Sequence, residues 1–330
     1  MTINWELELM EIVKLRHPYK PEEIPAGDCV LVLGFFDGVH RGHQEVINTG
    51  KKIAKEKKLK LAVMTFNQHP AVVFQQVQSK PIQYLSTLKQ KEERMSKLGV
   101  DLLYEVAFTS SFAALEPQEF VDQYIVGLHA KVAVSGFDYN FGKDQRADAE
   151  KLPKYAKDRF EVVIVAKKTE EHETEKISSS RIRRLLSEGR LDEANHLLGY
   201  IYEISGTVVH GEARGRKLGY PTANIQVPED MKLPKEGVYV NQIQIGDQWY
   251  PAMGSIGHND TFGTNRLLTV EINILDFNQE IYGEKVKVRW YHMLRGQVAF
   301  ESVDGLIQQL QADEQATREY FKHWVAAADL

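Results

Sequence analysis

Short apolar runs alternate with amphipathic segments throughout the first half of the chain, and this alternation constrains the fold more than any other feature. The runs, rich in Val and Leu, are CVLVLGFF (29–36), LKLAVMTF (59–66), DLLYEVAF (101–108), AKVAVSG (130–136) and FEVVIVAK (160–167). Strand-length runs separated by segments of period 3.6 predict β-α-β units around a parallel sheet. We therefore expect a doubly wound, Rossmann-like α/β domain that binds ligands at the carboxyl ends of its strands.

The sequence pattern changes after Gly199. Short alternating runs broken by Gly, Pro and Asn-Asp follow, among them YEISGTVVHG, GVYVNQIQIG and LLTVEINILDF. They predict an antiparallel barrel, and a helical period predicts a terminal helix over 302–324. Residues 178–199 predict two short helices divided near Gly189. A length of 330 residues favours two domains, and we place them at 1–186 and 187–330.

Charge and cysteine content exclude some classes of protein. The net charge is −5 and the pI about 6.2, which disfavours a duplex nucleic-acid binder. Cys29 is the single cysteine, so neither an internal disulfide nor a cysteine metal cluster can form. The first residues lack the order of a secretory signal, and no run reaches the roughly 18 apolar residues of a membrane span. We expect a soluble, cytoplasmic protein that acts on small molecules and can self-associate.

The stretch GFFDGVHRGHQ (34–44) joins the first strongly apolar run to an amphipathic segment. A strand ending at residue 35 or 36, a turn through 37–38 and a helix starting near residue 43 would point backbone N–H groups and a positive dipole at one place. His40 and His43 can donate hydrogen bonds to phosphate there, and Gly42 leaves room beside the backbone. The alternative is a pair of surface histidines on a capped helix.

A second polar stretch, KISSSRIR (176–183), stands before another helix. Its three hydroxyls and two arginines suit a clamp on a polyphosphate. An ordinary serine-capped helix is the alternative.

At these residues the first half resembles the adenylyltransferase module of prokaryotic bifunctional riboflavin kinase/FAD synthetases, which are relatives of the HxGH nucleotidyltransferases. The matching motifs stand in the family's order: GFFDGVHRGHQ, TFNQHP (65–70), YLSTLKQK (84–91), GFDYNFG (136–142) and ISSSRIR (177–183). The resemblance continues into the second half and covers roughly residues 25–315. The alternative is a different nucleotidyltransferase of the HxGH class, which would join ATP or CTP to another phosphate acceptor. It would explain HRGH and SSSRIR, but not HPAVVF (69–74), GFDYNFG and PTAN (221–224) in one chain.

The resemblance implies that the FMN phosphate attacks the α-phosphorus of ATP, which gives FAD and pyrophosphate. It assigns charge neutralisation to His40, His43 and Arg183 with Mg²⁺. Its ATP- and FMN-binding positions are Gly34, Phe35, Asp37, Gly38, Gly42, Asn67, His69, Asp138, Ser178, Ser179 and Ser180. For Asp138, a turn or cap aspartate is the alternative. Gln68 and Ala147 replace a proline and a glycine of the family pattern.

The second half opens with GTVVHGEARGRKLGYPTANI (206–225). Its glycines, including Gly211, Gly215 and Gly219, permit a loop to approach phosphates, and three basic residues at 214, 216 and 217 supply positive charge. A solvated hairpin loop with basic residues is the alternative.

PTAN (221–224) resembles the metal-binding signature of riboflavin kinases, which implies a six-stranded barrel of that type. Thr222 and Asn224 would then bind Mg²⁺, and Glu271 would be the general base that accepts the proton of the riboflavin 5′-hydroxyl. An outward-facing strand glutamate is the alternative for Glu271. The resemblance assigns phosphate or flavin binding to Gly211, Arg216, Gly219 and Arg295.

One segment departs further from the kinase pattern. SIGHNDTF (255–262) has Ser255 in place of asparagine and Asp260 in place of proline. Losing the proline frees a backbone angle, and the carboxylate adds negative charge near an anionic ligand. Two variants of the function therefore stay open: an FAD synthetase with a weakened or inactive kinase, and a non-catalytic flavin or nucleotide sensor.

Overall fold

The structure is a computed structural model that describes residues 10–74, 81–143, 147–167, 175–211, 214–258 and 268–328. Its contacts divide the chain into two compact units, Met1–Ser179 and Ser180–Leu330. This division falls seven residues before the boundary at 186 that we predict from the sequence. The helix after Ser179 is therefore grouped with the second unit. None of the helices in the described ranges is both long and apolar enough to cross a membrane.

The first unit is built on a six-stranded parallel sheet in the order β1-β4-β3-β2-β5-β8. The strands are β1 (Glu11–Arg16), β2 (Cys29–Leu33), β3 (Lys60–Phe66), β4 (Leu102–Ala107), β5 (Ala130–Gly136) and β8 (Glu161–Val165). A two-stranded ribbon, β6 (Asn140–Phe141) with β7 (Ala147–Asp148), follows β5. This confirms the predicted α/β class.

Helices complete the first unit: α1 (Arg41–Lys57), α2 (Leu88–Lys97), α3 (Ser110–Ala113), α4 (Pro117–Val121) and α5 (Leu152–Ala156). Every residue of β2 is buried, as in the near-continuous apolar runs of strands covered on both faces. Among the described residues, one apolar cluster of the core contains Leu31 and Tyr104, and another contains Val32 and Ile47. The sheet is therefore buried on both faces.

The strand and helix at the predicted site have different limits from those expected. β2 ends at Leu33 rather than at residue 35 or 36, and α1 begins at Arg41 rather than near His43. Phe36 takes a φ of 57°, in the left-handed region, so the chain leaves the extended conformation before the end of the apolar run.

The second unit contains a closed antiparallel barrel in the order β10-β13-β12-β11-β14-β9. Two helices precede it, α6 (Ser179–Glu188) and α7 (Leu191–Leu198), with Gly189 between them as predicted. The strands are β9 (Tyr202–Val209), β10 (Ala223–Gln226), β11 (Gly237–Ile245), β12 (Gln248–His258), β13 (Leu268–Ile274) and β14 (Lys285–Arg295). The six-stranded barrel is confirmed.

Two further helices belong to the second unit: the short α8 (Arg214–Lys217) and the terminal α9 (Val303–Ala328). Phe321 of α9 packs with Val240 of β11 and Tyr291 of β14. The predicted terminal helix is therefore part of the barrel's packing.

Candidate active sites

The turn between β2 and α1, residues 34–40, brings the two predicted histidines together; we call it the histidine turn. His40 is the N-cap of α1, and its Nδ1 accepts a hydrogen bond from the backbone N–H of His43 at 3.3 Å. The two rings stack with centroids 3.5 Å apart and planes 18° apart. Two imidazoles therefore lie at a helix N-terminus on the carboxyl edge of the sheet, a place suited to an anion.

His43 lies in a setting that favours its neutral form. Its ring packs edge-on against Phe36, with centroids 5.3 Å apart, and its buried Nδ1 has no hydrogen-bond partner among the residues that the structure describes. Burial lowers the pKa of His43 well below the ordinary value of 6.5, and the nearby charges of His40 and Lys91 lower it further. At neutral pH His43 therefore offers one N–H donor and no positive charge.

Asp37 and Gly38 hold the turn in place through the chain's own groups. The Asp37 carboxylate, 2% exposed, accepts the N–H of Leu85 at 3.0 and 3.2 Å. The Gly38 N–H donates to Ser86 Oγ at 3.1 Å, and Ser179 Oγ donates to the Asp37 carbonyl at 2.9 Å. In this structure Asp37 therefore orients the turn, and Ser179 lies beside it.

Gly34 of the turn and Gly42 of α1 make room for side chains of the protein itself. A Cβ on Gly34 would lie 2.6 Å from the ring of Phe36, and one on Gly42 would lie 3.2 Å from the ring of His40. The His40 ring thus lies beside Gly42, and the role of Gly42 at a nucleotide stays a prediction.

The TFNQHP motif follows β3 at the same edge of the sheet. Asn67 Oδ1 accepts the N–H of Phe108 at 3.0 Å, and Gln68 Nε2 donates to the Phe108 carbonyl at 2.8 Å. His69 packs edge-on against Phe35, with centroids 5.0 Å apart. The glutamine that replaces the family proline thus makes a hydrogen bond of its own, and the motif ties the end of β3 to the end of β4.

Asp138 of the GFDYNFG motif follows β5. Its Oδ2 accepts a hydrogen bond from Lys176 Nζ at 2.6 Å, and the same ammonium lies 5.3 Å from the ring centroid of Phe137. Ala147, which replaces a family glycine, is fully buried. The structure therefore pairs Asp138 with the first residue of the KISSSRIR stretch.

The serine-rich stretch opens α6, where Ser178 is partly exposed and Ser180 exposed. Arg183 lies one turn further along, within the second unit. The pKa of Lys232, in the same unit, is lowered by burial and then by the charge of Arg183. Arg183 therefore has a basic neighbour in the second unit, and its role at the histidine turn stays a prediction.

Lys91 is a site residue that the residue-by-residue analysis missed. It is buried on α2, and its Nζ donates to the Phe35 carbonyl at 2.8 Å. The family motif YLSTLKQK ends at this lysine. That motif was the available signal, because a lysine on an amphipathic helix otherwise indicates a solvated face.

The predicted kinase residues meet across two strands of the barrel. Thr222 directly precedes β10, and its Oγ1 donates to Glu271 Oε2 at 3.1 Å. Asn224 of β10 lies opposite Glu271 of β13 in the antiparallel register. A Cβ on Gly211 would lie 2.1 Å from Asn224 Nδ2, so this glycine gives the amide its space. Glu271 is half-buried and bonded to Thr222 rather than fully exposed on a strand.

This arrangement fits a magnesium ion that is shared with a nucleotide. Within the described ranges, no group of three or more His, Cys, Asp or Glu side chains could hold a metal by itself. Thr222 and Asn224 offer neutral oxygens beside the Glu271 carboxylate, and Mg²⁺ takes few protein ligands and keeps waters and phosphate oxygens for the rest. The donor set suits this hard cation.

A cavity of about 400 Å³ opens beside Thr222. Its apolar lining includes Val208 and Ile272. Tyr282 also lines the cavity, and its ring stacks on that of His210 with centroids 3.8 Å apart. Arg216 also lines the cavity and forms an exposed ion pair with Glu280 at 3.7 Å. Cavities of this size and mixed lining commonly bind small molecules.

Arg295 and Gly219 are the two other barrel residues to which the resemblance assigns phosphate or flavin binding. Arg295 forms a double hydrogen bond with Asp313 of α9, its Nη2 lying 2.7 Å from Oδ2 and its Nε 3.1 Å from Oδ1. It therefore ties α9 to the barrel. Gly219 has a φ of 81° and open space around it, which fits a turn in an exposed loop.

Ser255, the first departure from the kinase pattern, lies opposite Glu271 in the β12–β13 register. Its Oγ accepts a hydrogen bond from Gln297 Nε2 at 3.0 Å. The serine is thus accommodated beside the predicted base. Asp260, the second departure, lies outside the described residues.

Comparisons with known proteins assign both halves. The family described as FAD synthetase matches residues 23–181, and the family described as riboflavin kinase matches residues 198–321. Two similar relatives, each named bifunctional riboflavin kinase/FMN adenylyltransferase, come from Listeria monocytogenes and Bacillus subtilis. The first is 49% identical over 94% of this chain and 98% of its own, and the second 39% identical over 95% and 99%.

A solved structure described as a macrolide-efflux protein from Streptococcus pneumoniae has a similar fold. It is 41% identical and superposes with a TM-score of 0.84 over 93% of this chain and 99% of its own. The two family matches and the relatives, which this chain covers over nearly their whole length, indicate one family. The chain belongs to the bifunctional riboflavin kinase/FMN adenylyltransferase family.

Proposed function

We propose that the histidine turn catalyses adenylyl transfer to FMN and that the Thr222–Glu271 pair catalyses phosphorylation of riboflavin. One observation for each half carries this assignment. His40 and His43 stack at the N-terminus of α1, and Thr222 bonds to Glu271 beside a cavity. The two family activities thus have one candidate centre each.

At the histidine turn, an oxygen of the FMN phosphate would attack the α-phosphorus of ATP. One P–O bond forms to FMN, the bond to the pyrophosphate breaks, and pyrophosphate leaves. The dipole of the α1 N-terminus would stabilise the negative charge, and neutral His43 would add one N–H donor from its ring. His40 would fix the helix end through its cap.

Residues around the turn would position the two substrates. We place FMN near Asn67, His69 and Asp138, which follow β3 and β5 at the carboxyl edge of the sheet. We place the triphosphate beside the turn, where Ser178 and Ser179 offer donors, and the roles that the resemblance gives to Ser180 and Arg183 stay predictions. The hydrogen bond from Ser179 to the Asp37 carbonyl supports this placement. Holding two anions in line would supply much of the rate, because the reaction needs no covalent intermediate.

In the barrel, Glu271 would accept the proton of the riboflavin 5′-hydroxyl while that oxygen attacks the γ-phosphorus of ATP. The bond to ADP breaks and FMN leaves as product. Thr222 donates to Glu271 Oε2, which would leave Oε1 to receive the proton. Thr222 and Asn224 would hold Mg²⁺, which supplies positive charge to the phosphates when it is bound.

The cavity beside Thr222 would hold the nucleotide, with its ring against the apolar lining and its phosphates toward Arg216. The loop glycines Gly211 and Gly219 would let the backbone approach those phosphates. The contact between Thr222 and Glu271 supports an active kinase rather than a weakened kinase or a flavin sensor.

Crystals soaked in two mixtures test the placement of both sites. With FMN and a non-hydrolysable ATP analogue, the triphosphate should lie at His40 and His43. With riboflavin, ADP and Mn²⁺, the anomalous signal of the metal should lie beside Thr222 and Asn224. A triphosphate away from the histidine turn, or Mn²⁺ away from the barrel pair, would overturn the respective assignment.

We further propose that the protein works in the cytoplasm on small molecules and without nucleic acid. Its ATP-consuming family activities and its net charge of −5 support this. We also propose that the chain can self-associate. Sedimentation velocity over a range of concentrations tests this. A single concentration-independent species of 37.7 kDa would exclude it.

A further inference from the structure

Lys91 of α2 is buried inside the first unit. Only 3% of its surface is exposed. A lysine side chain is rarely buried to this extent unless polar groups of the protein replace the water around its charge. Its Nζ donates to the Phe35 carbonyl at 2.8 Å, to Thr65 Oγ1 at 3.2 Å and to the Phe66 carbonyl at 3.4 Å. The three acceptors match the three N–H bonds of a protonated amine.

These acceptors lie at the carboxyl edge of the sheet, beside the histidine turn. Phe66 is the last residue of β3, Thr65 precedes it, and Phe35 lies two residues beyond the end of β2. The Lys91 ammonium also lies 4.2 Å from the centroid of the Phe35 ring. One buried cation thus joins the carboxyl ends of two neighbouring strands.

The Phe35 carbonyl lies in the part of the histidine turn where the backbone has unusual φ angles. Phe36 and Val39 have φ angles of 57° and 41°, a region that residues with a side chain rarely adopt. Such a conformation persists only when the surroundings hold it. Thr65 Oγ1 donates to the same carbonyl at 2.8 Å, so two donors fix the peptide from which the turn departs.

Charges around Lys91 keep its amine protonated. Burial lowers the pKa of Lys91 to about 8. The negative charges of Asp37 and Glu105 act in the opposite direction and raise this pKa. Titratable or charged groups face this cluster from each neighbouring element: Asp37 in the turn, His43 on α1, Glu92 on α2, Glu105 on β4 and Lys14 on β1. At neutral pH the amine therefore carries its charge.

We propose that Lys91 is a positioning residue for adenylyl transfer, whose charged amine holds the Phe35 carbonyl and thereby the histidine turn. The inference rests on the proposed function of that turn. Lys91 does not need to touch substrate, because its three N–H bonds are directed at groups of the protein. Its removal should misplace the turn, and a displacement of about 1 Å can cost roughly 100-fold in rate.

The test compares Lys91→Met with Lys89→Met in the full-length enzyme. Lys89 is an exposed lysine on the same helix. We measure kcat and KM for FAD formation from FMN and ATP between pH 6 and 9.5, with riboflavin phosphorylation by the same sample as an internal control. His43→Ala is included as a separate test of the turn.

Lys91→Met should lower kcat for FAD formation about 100-fold, with a smaller change in KM and unchanged riboflavin phosphorylation. The wild-type kcat should fall above about pH 8, as the amine loses its proton, and this fall should be absent in Lys91→Met. Lys89→Met should match the wild type in both respects.

A kcat of Lys91→Met within threefold of Lys89→Met overturns the inference. If His43→Ala is severely impaired in that case, the proposed function of the turn survives; if His43→Ala is also active, the function of the turn fails as well. Should Lys91→Met not fold, the wild-type profile decides. An alkaline fall in FAD formation that riboflavin phosphorylation lacks supports the inference, and a flat profile to pH 9.5 contradicts it.

Discussion

Thr222 donates its hydroxyl hydrogen to Glu271 Oε2 across 3.1 Å, from the residue before β10 to the middle of β13. The two side chains come from positions 49 residues apart in the chain. The hydrogen bond fixes one carboxylate oxygen of the proposed base. This pairing makes the kinase half directly testable.

Replacing Thr222 by Val removes the hydroxyl and keeps the shape. A hydrogen bond to a charged group contributes roughly 1.5–3 kcal/mol, so kcat for riboflavin phosphorylation should fall about 10- to 100-fold. Thr222→Ser keeps the donor and should retain most of the activity. Steady-state rates of FMN formation measure this, and FAD formation from FMN should stay unchanged. Full activity of Thr222→Val would show that the bond does not matter.

Gly211→Ala should also impair the kinase. The new methyl would lie 2.1 Å from Asn224 Nδ2 and would push the amide away from its place opposite Glu271. Overpacking of this kind costs about 1–3 kcal/mol, so we expect about a tenfold loss of kinase activity or more. Gly296→Ala is the matched control, because open space surrounds that glycine. Equal activities of the two variants would contradict the proposed role of Asn224.

The pair formed by Arg295 and Asp313 should matter for stability rather than for binding riboflavin. Both side chains are largely buried, at 18% and 5% exposure. Removing one partner of a buried ion pair leaves the other charge buried without its counter-ion. Arg295→Met should therefore lower the free energy of unfolding by about 3–5 kcal/mol. Denaturant unfolding followed by tryptophan fluorescence measures this loss. A raised KM for riboflavin with unchanged stability would instead support the ligand-binding role expected from the sequence.

Glu105 should make the stability of the first unit depend on pH. Burial, followed by the neighbouring carboxyl group of Glu92, raises the pKa of Glu105 from 4.5 to about 7. A raised pKa means that its contribution to stability is full below about pH 4.5 and is lost as the pH rises through about 7. The free energy of unfolding of the wild type relative to Glu105→Gln should therefore decrease over this range. A difference that is constant between pH 4.5 and 8 would contradict the assignment.

Much of the fold could be predicted because the hydrophobic patterns follow from burial. A strand covered on both faces is a continuous apolar run, as β2 is, and barrel strands alternate and end at Gly, Pro or Asn. The exact limits of β2 and α1 could not be predicted, because the left-handed conformation of Phe36 depends on tertiary contacts such as those of Lys91.

The candidate sites were predictable to the extent that short motifs carry their residues. HRGH pointed to His40 and His43, while Thr222, Asn224 and Glu271 came from the resemblance to riboflavin kinases. The partners of Asp37 and Arg295 could not be predicted. Asp37 accepts a hydrogen bond from Leu85, 48 positions away, and Arg295 pairs with a helix whose position depends on the folded barrel. Side chains that looked available for ligands are used by the protein itself.

Product chromatography of two full-length variants tests the division of labour most directly. Each variant is incubated with ATP and Mg²⁺ and either riboflavin or FMN. His43→Ala should lose roughly 100-fold or more in FAD formation and keep FMN formation, because it lacks a donor at the transferred phosphate. Glu271→Gln should lose about as much in FMN formation and keep FAD formation from FMN, because it lacks the base. If both activities fall equally in either folded variant, or if neither falls, the assignment of the two centres is wrong.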